Sequence, residues 1–122
     1  GLSRAVLLRA GEVTGGADLA RRRRPAARTD RDLARGPARL CQALGLGRPD
    51  DGARLGGPDD RICLALPAPG AVPDAASIRC GPRTGVAGPG GDGAAFPWRF
   101  WLDGEPTVSP YRPAAPRRRR TS

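Results

Sequence analysis

The apolar residues of this chain occur in short runs that glycine and proline interrupt, which limits the size of any core. The 122 residues include 18 Gly and 14 Pro, and only 4% are aromatic. No apolar run approaches the roughly 20 residues that a membrane-spanning helix requires. A chain of this length buries about two-thirds of the surface that it exposes when unfolded. We therefore expect one small domain with a thin core and long irregular stretches, and no membrane association.

The basic residues favour an anionic partner. The net charge is +9, and all 21 basic residues are arginine. Because a guanidinium group pairs with phosphate and releases its counterions, nucleic acid is the leading candidate. Arginine, alanine, glycine and proline also have G·C-rich codons, so part of this excess reflects the base composition of the gene. The runs Arg21–Arg24 and Arg117–Arg120 fit either contacts along a DNA backbone or solvated charge, and we favour solvated charge.

The side chains that carry most enzyme chemistry are sparse. Three cysteines, Cys41, Cys63 and Cys80, lie far apart without histidine or a C-x-x-C pair, which argues against a zinc site and a disulfide framework. We predict that they are small buried thiols. No catalytic triad and no paired carboxylates are evident. We therefore expect no metal and no cofactor.

The residue patterns predict a few short elements. Helices are expected over Ala17–Arg24 and from Pro37 to Leu44, where proline suits the first turn and Gly45 the end. Strands are expected over residues 5–10 and 61–66, extended pieces over 77–80 and 83–86, and a hairpin that joins 98–102 to 107–109 through Asp103-Gly104.

Side chains on these elements are predicted to form the core. In the second helix the core residues are Leu40, Cys41, Ala43 and Leu44. In the hairpin, Trp98 and Phe100 share one face, for which core packing is favoured over base stacking, and Trp101 lies on the other.

Three blocks of residues, in order, resemble the methylpurine (3-methyladenine) DNA glycosylase family. They are Val6-Leu7-Leu8-Arg9-Ala10, then Gly36-Pro37-Ala38-Arg39-Leu40-Cys41-Gln42-Ala43-Leu44-Gly45, then Pro97-Trp98-Arg99-Phe100 with Gly104 and Val108-Ser109. The middle block is close to the family's signature. A weaker similarity covers Gly81–Val86, and the family's Ala-Gly-Glu-Trp stretch is replaced by residues 88–95.

The resemblance implies a fold and a domain organisation. It implies a single mixed α/β (α+β) domain with a curved antiparallel sheet and packed helices. Residues 1–109 would be the C-terminal part of that domain and 110–122 a disordered basic tail. The family's catalytic Glu, the Tyr and His that contact the flipped base and the Tyr wedge occur in blocks that are not found here. We therefore expect the N-terminal part of the domain to be missing.

The resemblance also implies site residues and partners. Arg9 would position the attacking water, and the backbone carbonyl of Thr84 would be that water's other ligand. Gly36, Pro37 and Arg39 at a helix N-terminus, together with Arg83, would contact DNA phosphates. The expected partner is double-stranded DNA with alkylated bases, and the protein is expected to bind it as a monomer. The expected location is the cytoplasm of a bacterial-type cell, on the nucleoid when bound to DNA.

Two other interpretations fit the residues. Without the resemblance, Arg9 is an arginine at a strand end paired with a carboxylate, and Gly36-Pro37 is simple helix initiation. The chain could then be a basic nucleic-acid-binding protein without enzyme activity, because the arginine runs suffice for binding. It could also be an inactive gene remnant.

Overall fold

A computed structural model describes residues 4–57 and 60–115. It contains the helices α1, Ala17–Arg23, and α2, Pro37–Leu44, and the strands β1, Ile78–Gly81, and β2, Arg99–Leu102. Single 3-10 turns occupy Asp30–Asp32, Arg48–Asp50, Ala75–Ser77 and Pro89–Gly91. The predicted mixed α/β class with an antiparallel sheet is confirmed.

The domain divides into two compact units, which are described one at a time. The first unit consists of Gly1–Val72 with Pro106–Val108, and the second of Pro73–Glu105 with Ser109–Ser122. Within residues 4–57 and 60–115, no helix is long and apolar enough to cross a membrane. The run Arg117–Arg120 lies outside the described residues.

Both helices form where the sequence predicts them. Helix α1 carries acidic Asp18 in its first turn and arginines in its last turn, an arrangement that complements the helix dipole. Helix α2 begins at Pro37 and ends at Gly45, which is left-handed with φ of 70°. The Gly45 N–H donates to the Gln42 carbonyl at 3.1 Å and the Leu46 N–H to the Cys41 carbonyl at 2.8 Å. This pair of bonds satisfies the last carbonyls of the helix.

The first unit has a small core between α1 and α2. Its buried hydrophobic residues are Ala20, Leu33, Ala34 and Ala43, with Val13, Ala27 and Leu40 packed against them. Leu33 is the only large side chain among the described residues that is completely buried. The prediction of a core along α2 is confirmed for Ala43 and Leu40. It is wrong for Cys41, which is exposed, and for Leu44, which is 54% exposed.

The second unit contains the antiparallel pair β1 and β2. Its register places Ile78 opposite Leu102 and Cys80 opposite Phe100. The Asp103 N–H extends the pair by donating to the Ser77 carbonyl at 2.8 Å. Strand β1 therefore confirms the extended piece predicted over residues 77–80.

Two predicted strands do not form in the described part of the chain. Residues 5–10 are irregular and Val6 is 89% exposed, while residues 61–66 contain only an isolated bridge between Cys63 and Gly56. An apolar run becomes a strand only when another backbone satisfies its hydrogen bonds, and neither run has such a ladder among the described residues.

The predicted hairpin is also wrong, because β2 pairs with β1 and not with residues 107–109. Asp103-Gly104 does turn, with φ of 71° at Gly104, but no strand follows it in the described residues. Residues 83–86 were expected to be extended and instead turn at Thr84-Gly85. Gly85 has φ of 74°, which interrupts an extended backbone.

The predicted burial of cysteines and aromatic residues is not observed. Cys41, Cys63 and Cys80 are all exposed. Trp98 and Phe100 are 60% and 66% exposed, so they are not core residues of the described structure. Burial in β2 falls instead on Arg99, because the opposite face of the strand is the covered one.

Candidate nucleic-acid interface

The N-terminus of α2 presents unsatisfied backbone donors. Gly36 precedes it with φ of 135° and ψ of 156°, a conformation essentially restricted to glycine, and Pro37 occupies the first turn. Gly36 provides no side-chain cap, and no acidic residue lies in the first turn. The next two residues, Ala38 and Arg39, are exposed. The positive end of the helix dipole is therefore open to an anion.

Arginines concentrate next to this helix end. Arg31, Arg35 and Arg39 all act electrostatically on the Asp32 carboxylate, and we call these three side chains the basic cluster. The Thr29 hydroxyl donates to Asp32 at 2.6 Å and is the main cause that lowers the pKa of this carboxyl, while the three guanidinium groups lower it further. Three positive charges thus act on one carboxylate. An excess of positive charge suits phosphate.

One member of the basic cluster is held in place by several contacts. The Arg35 guanidinium donates from Nε and Nη2 to the Val108 carbonyl at 3.4 and 3.2 Å, and its Nη1 lies 3.8 Å from Asp32 Oδ1. Arg35 is half-buried, whereas Arg31 and Arg39 are exposed. The sequence reasoning did not single out Arg35. The signal that could have identified it is the Asp32 to Arg35 spacing of three residues.

The segment that carries Arg9 lies beside the same helix. The Gly11 N–H donates to the Ala34 carbonyl at 3.3 Å, two residues before Gly36. A β-carbon built on Gly11 would lie 4.0 Å from Leu40 Cδ1, so the segment packs closely against α2. Arg9 itself is half-buried. The structure therefore places Gly11, two residues after Arg9, beside Ala34 and Leu40.

Most of the run Arg21–Arg24 binds within the protein. Arg21 pairs with Asp30 through Nε at 2.9 Å and Nη2 at 2.6 Å. Arg23 donates to the Ala43 carbonyl at 3.1 Å, which joins α1 to the last turn of α2. Both arginines are exposed, as expected for solvated charge, and they also bind within the protein.

Arg24 makes the most extensive of these connections. Its Nε donates to the Leu33 carbonyl at 3.1 Å, and its Nη1 donates to Gln42 Oε1 at 2.9 Å. It thus links the end of α1 to the turn that precedes α2 and to α2 itself. Solvated charge is the wrong interpretation for Arg24, because this side chain is half-buried and bonded within the first unit.

Arg83 and Thr84 belong to the second unit. The half-buried Arg83 guanidinium donates from Nη2 to the Gly90 carbonyl at 2.6 Å and lies 5.7 Å from the centre of the Trp98 ring. Thr84 is half-buried in the turn before Gly85, and its carbonyl accepts no backbone hydrogen bond from the described residues. Arg83 therefore fixes the loop around Gly90.

No carboxylate with a catalytic environment appears beside these residues. A groove of about 650 Å³ in the second unit contains one carboxylate, Asp92, whose Oδ1 accepts the Ala94 N–H at 2.8 Å. Of the two glutamates, Glu12 is exposed and Glu105 is half-buried. No group of side chains within the described residues could hold a metal ion. The described residues thus supply electropositive groups, and none of their carboxylates is assigned as a general base.

Comparison with known proteins identifies the family. The sequence model of the methylpurine-DNA glycosylase family matches residues 1–106. The chain belongs to this family. A glycosylase-family protein of Streptomyces avermitilis, named "Putative 3-methyladenine DNA glycosylase", is 53% identical over 121 residues, which are 99% of this chain and 54% of the relative.

Two further relatives carry the same name. The protein from Leifsonia xyli is 53% identical over 116 residues, 92% of this chain and 51% of its own length. That from Nocardia farcinica is 52% identical over 118 residues, 95% of this chain and 52% of its own length. The chain therefore spans about half the length of these curated relatives of the methylpurine-DNA glycosylase family.

Proposed function

We propose that this chain is part of an enzyme that releases alkylated purines, of the 3-methyladenine type, from double-stranded DNA in base-excision repair. The observation that carries the proposal is the family match over residues 1–106. The names of the relatives agree with it. An open helix N-terminus with the basic cluster beside it suits a DNA substrate.

The reaction is hydrolysis of the N-glycosidic bond. The damaged nucleotide rotates out of the duplex, and the oxygen of water forms a bond to C1′ while the bond from C1′ to the purine nitrogen breaks. A carboxylate takes the proton that water loses, and the purine leaves with the bonding electron pair. Because 3-methyladenine is cationic in DNA, it leaves as a neutral base. By family resemblance this carboxylate is a Glu in the half of the domain that the chain does not span.

Within that reaction the chain would supply positioning and binding groups. Arg9 and the Thr84 carbonyl would hold the attacking water. The N–H groups that follow Gly36 and Pro37 would bind a DNA phosphate together with Arg39. Arg83 would contribute to DNA binding in two ways, by fixing the loop near Gly90 and by contacting a phosphate directly. The assembled enzyme would act as a monomer on DNA, in the cytoplasm and on the nucleoid, and needs no metal or cofactor.

The role of Arg9 can be tested in a complete enzyme. We define the chimera as the Streptomyces avermitilis relative in which this chain replaces the 121 matched residues. Arg9→Gln in the chimera is expected to lower kcat for base release about 100-fold and to change KM little. The reason is that water out of line with the bond from C1′ to the purine reacts slowly. The matched control is Arg22→Gln, which alters an exposed arginine on α1. Equal kcat values for the two variants would contradict the role of Arg9.

Binding without chemistry is the competing function, and the basic cluster is compatible with it. Salt-sensitive binding to DNA does not distinguish the two, because both functions depend on phosphate contacts. The distinguishing measurement is the affinity of the chimera for an abasic site relative to intact duplex. Tighter binding to the abasic site supports the glycosylase, since its pocket gains from an extruded nucleotide. Equal affinity supports a general nucleic-acid-binding protein.

A further inference from the structure

The pair of strands exposes its apolar side. The register of β1 and β2 places four apolar side chains on one face, which we call the apolar face: Ile78, Cys80, Phe100 and Leu102. Phe100 is 66% exposed, Ile78 43% and Leu102 37%, and Cys80 is also exposed.

The other face of the same pair carries both of its arginines, Arg79 and Arg99, and is covered at Arg99 and Trp101. It carries the buried Arg99, whose guanidinium lies 4.5 Å from the centre of the Trp101 ring. Trp101 in turn covers Gly81, where an added β-carbon would lie 3.2 Å from the ring. An antiparallel sheet in a complete domain normally turns its apolar face to the core and its polar face to water. The arrangement here is the reverse, which indicates that the apolar face has a partner outside the described residues.

We propose that the apolar face is the docking surface for the remaining half of the glycosylase domain. The relatives match this chain over nearly its whole length and contain about as many residues again. Two isolated strands are marginally stable in water, and a contiguous exposed apolar patch marks an interface. Among the described residues, the buried hydrophobic cluster lies wholly in the first unit. The second unit therefore obtains its core from the half of the domain that docks on the apolar face.

Other occupants fit the face less well. A second copy of the chain would bring together two molecules of net charge +9, which repel each other. Duplex DNA presents a phosphate surface that does not cover aliphatic side chains such as Ile78 and Leu102. The inference depends on family membership and is independent of the catalytic proposal.

Cys80 allows a direct test, because it lies on the apolar face, opposite Phe100. The test variant retains only Cys80, because Cys41 and Cys63 are replaced by serine. The control variant retains only Cys63, an exposed thiol of the first unit, because Cys41 and Cys80 are replaced by serine. Alkylation by N-ethylmaleimide is timed by mass spectrometry for each variant, in the chain alone and in the chimera. We expect Cys80 to react at least about 10-fold more slowly in the chimera, and Cys63 to change less than about 2-fold, since a covered thiol is shielded from reagent.

Several results would overturn the inference. Equal Cys80 rates in the chain and in a chimera that is folded by circular dichroism would show that the other half leaves the face open. Slower alkylation of the chain alone at higher protein concentration would indicate a second copy, and slower alkylation on adding duplex DNA would indicate nucleic acid.

If the chimera aggregates, the measurement is made on the intact Streptomyces avermitilis relative with a cysteine at the position aligned with Cys80. Slow alkylation there supports the inference and rapid alkylation contradicts it. Base release is not part of this readout, so loss of activity alone leaves the result unchanged.

Discussion

Truncation of Leu33 is expected to loosen the helix pair that presents the candidate interface. Leu33 is 0% exposed and is surrounded by the alanines of the first-unit core. Replacing a buried leucine by alanine costs about 2–5 kcal/mol, and the cost rises with the volume of cavity that remains. Most of the cluster consists of alanines, whose side chains cannot extend into the space, and only Val13 and Leu40 add larger apolar side chains beside it. We therefore expect Leu33→Ala to lower the free energy of unfolding by about 3 kcal/mol or more.

The assay is hydrogen exchange of the helix amides, followed by mass spectrometry. The reporters are the Leu40 N–H, bonded to the Gly36 carbonyl at 2.8 Å, and the Ala20 N–H, bonded to the Gly16 carbonyl at 3.0 Å. A loss of about 3 kcal/mol corresponds to exchange more than about 100-fold faster, up to the rate of unprotected amides. Leu66→Ala is the control, because Leu66 is 85% exposed. An acceleration below about 5-fold, or one equal to that of the control, would refute the assignment of Leu33 as the centre of the core.

Three further substitutions test the start of α2, the phosphate contact and the β1–β2 pair. Gly36→Ala should lower Tm, because alanine at φ of 135° carries about 1–3 kcal/mol of strain. Gly15→Ala, at an unstrained position with open space, should not lower Tm, and equal Tm values for the two variants would contradict the strain at Gly36. Arg39→Gln should reduce the slope of log Kd for DNA against log salt concentration by about 0.9. Arg79→Gln should leave this slope unchanged, because Arg79 is bonded to Asp103. Equal slopes for the two variants would exclude a phosphate contact by Arg39. Hydrogen bonds from Arg79 lower the pKa of Asp103, so this pair stabilises the fold above the ordinary pKa of 3.8, and the stabilisation is lost as pH falls through the lowered pKa. The Tm difference between Asp103→Asn and the unaltered chain should therefore shrink to zero in acid. A difference that stays constant with pH would argue against the pair.

The helices were predictable because their signals are local. Pro37 at the first turn and Gly45 at the end fix the limits of α2 whatever surrounds it. The run Ala17–Arg24 has its acidic residue at one end and its basic residues at the other, and α1 follows it to within one residue. Helical hydrogen bonds close within the segment itself, so no distant partner is needed.

The strands were predicted less well because a strand depends on a distant partner. Residues 98–102 are apolar enough to form β2, but the sequence does not show that β1 is the partner in place of residues 107–109. The runs 5–10 and 61–66 have the same strand signal and form no ladder in the described residues. The burial of Arg99 with exposure of Phe100 was also unpredictable, because binary patterning assumes that the apolar face is covered within the chain.

The candidate site was only partly accessible to sequence reasoning. Resemblance to the family supplied Arg9, Gly36 and Arg39, and the structure shows that Gly11, two residues after Arg9, is bonded to Ala34 and lies beside Leu40 of α2. The contacts of Arg24 were not foreseen, because they are made to backbone carbonyls and to Gln42, which leave no charge pattern in the sequence. The roles of Arg83 and Thr84 remain predictions.

We propose that this chain is one part of a methylpurine-DNA glycosylase and acts only together with the rest of the domain. The measurement that tests this proposal most directly is release of 3-methyladenine from methylated duplex DNA, quantified by chromatography, for the purified chain and for the chimera under the same conditions. We predict release by the chimera and none above background by the chain alone. Efficient release by the chain alone would contradict the proposal, as would a chimera that folds and binds DNA but releases no base.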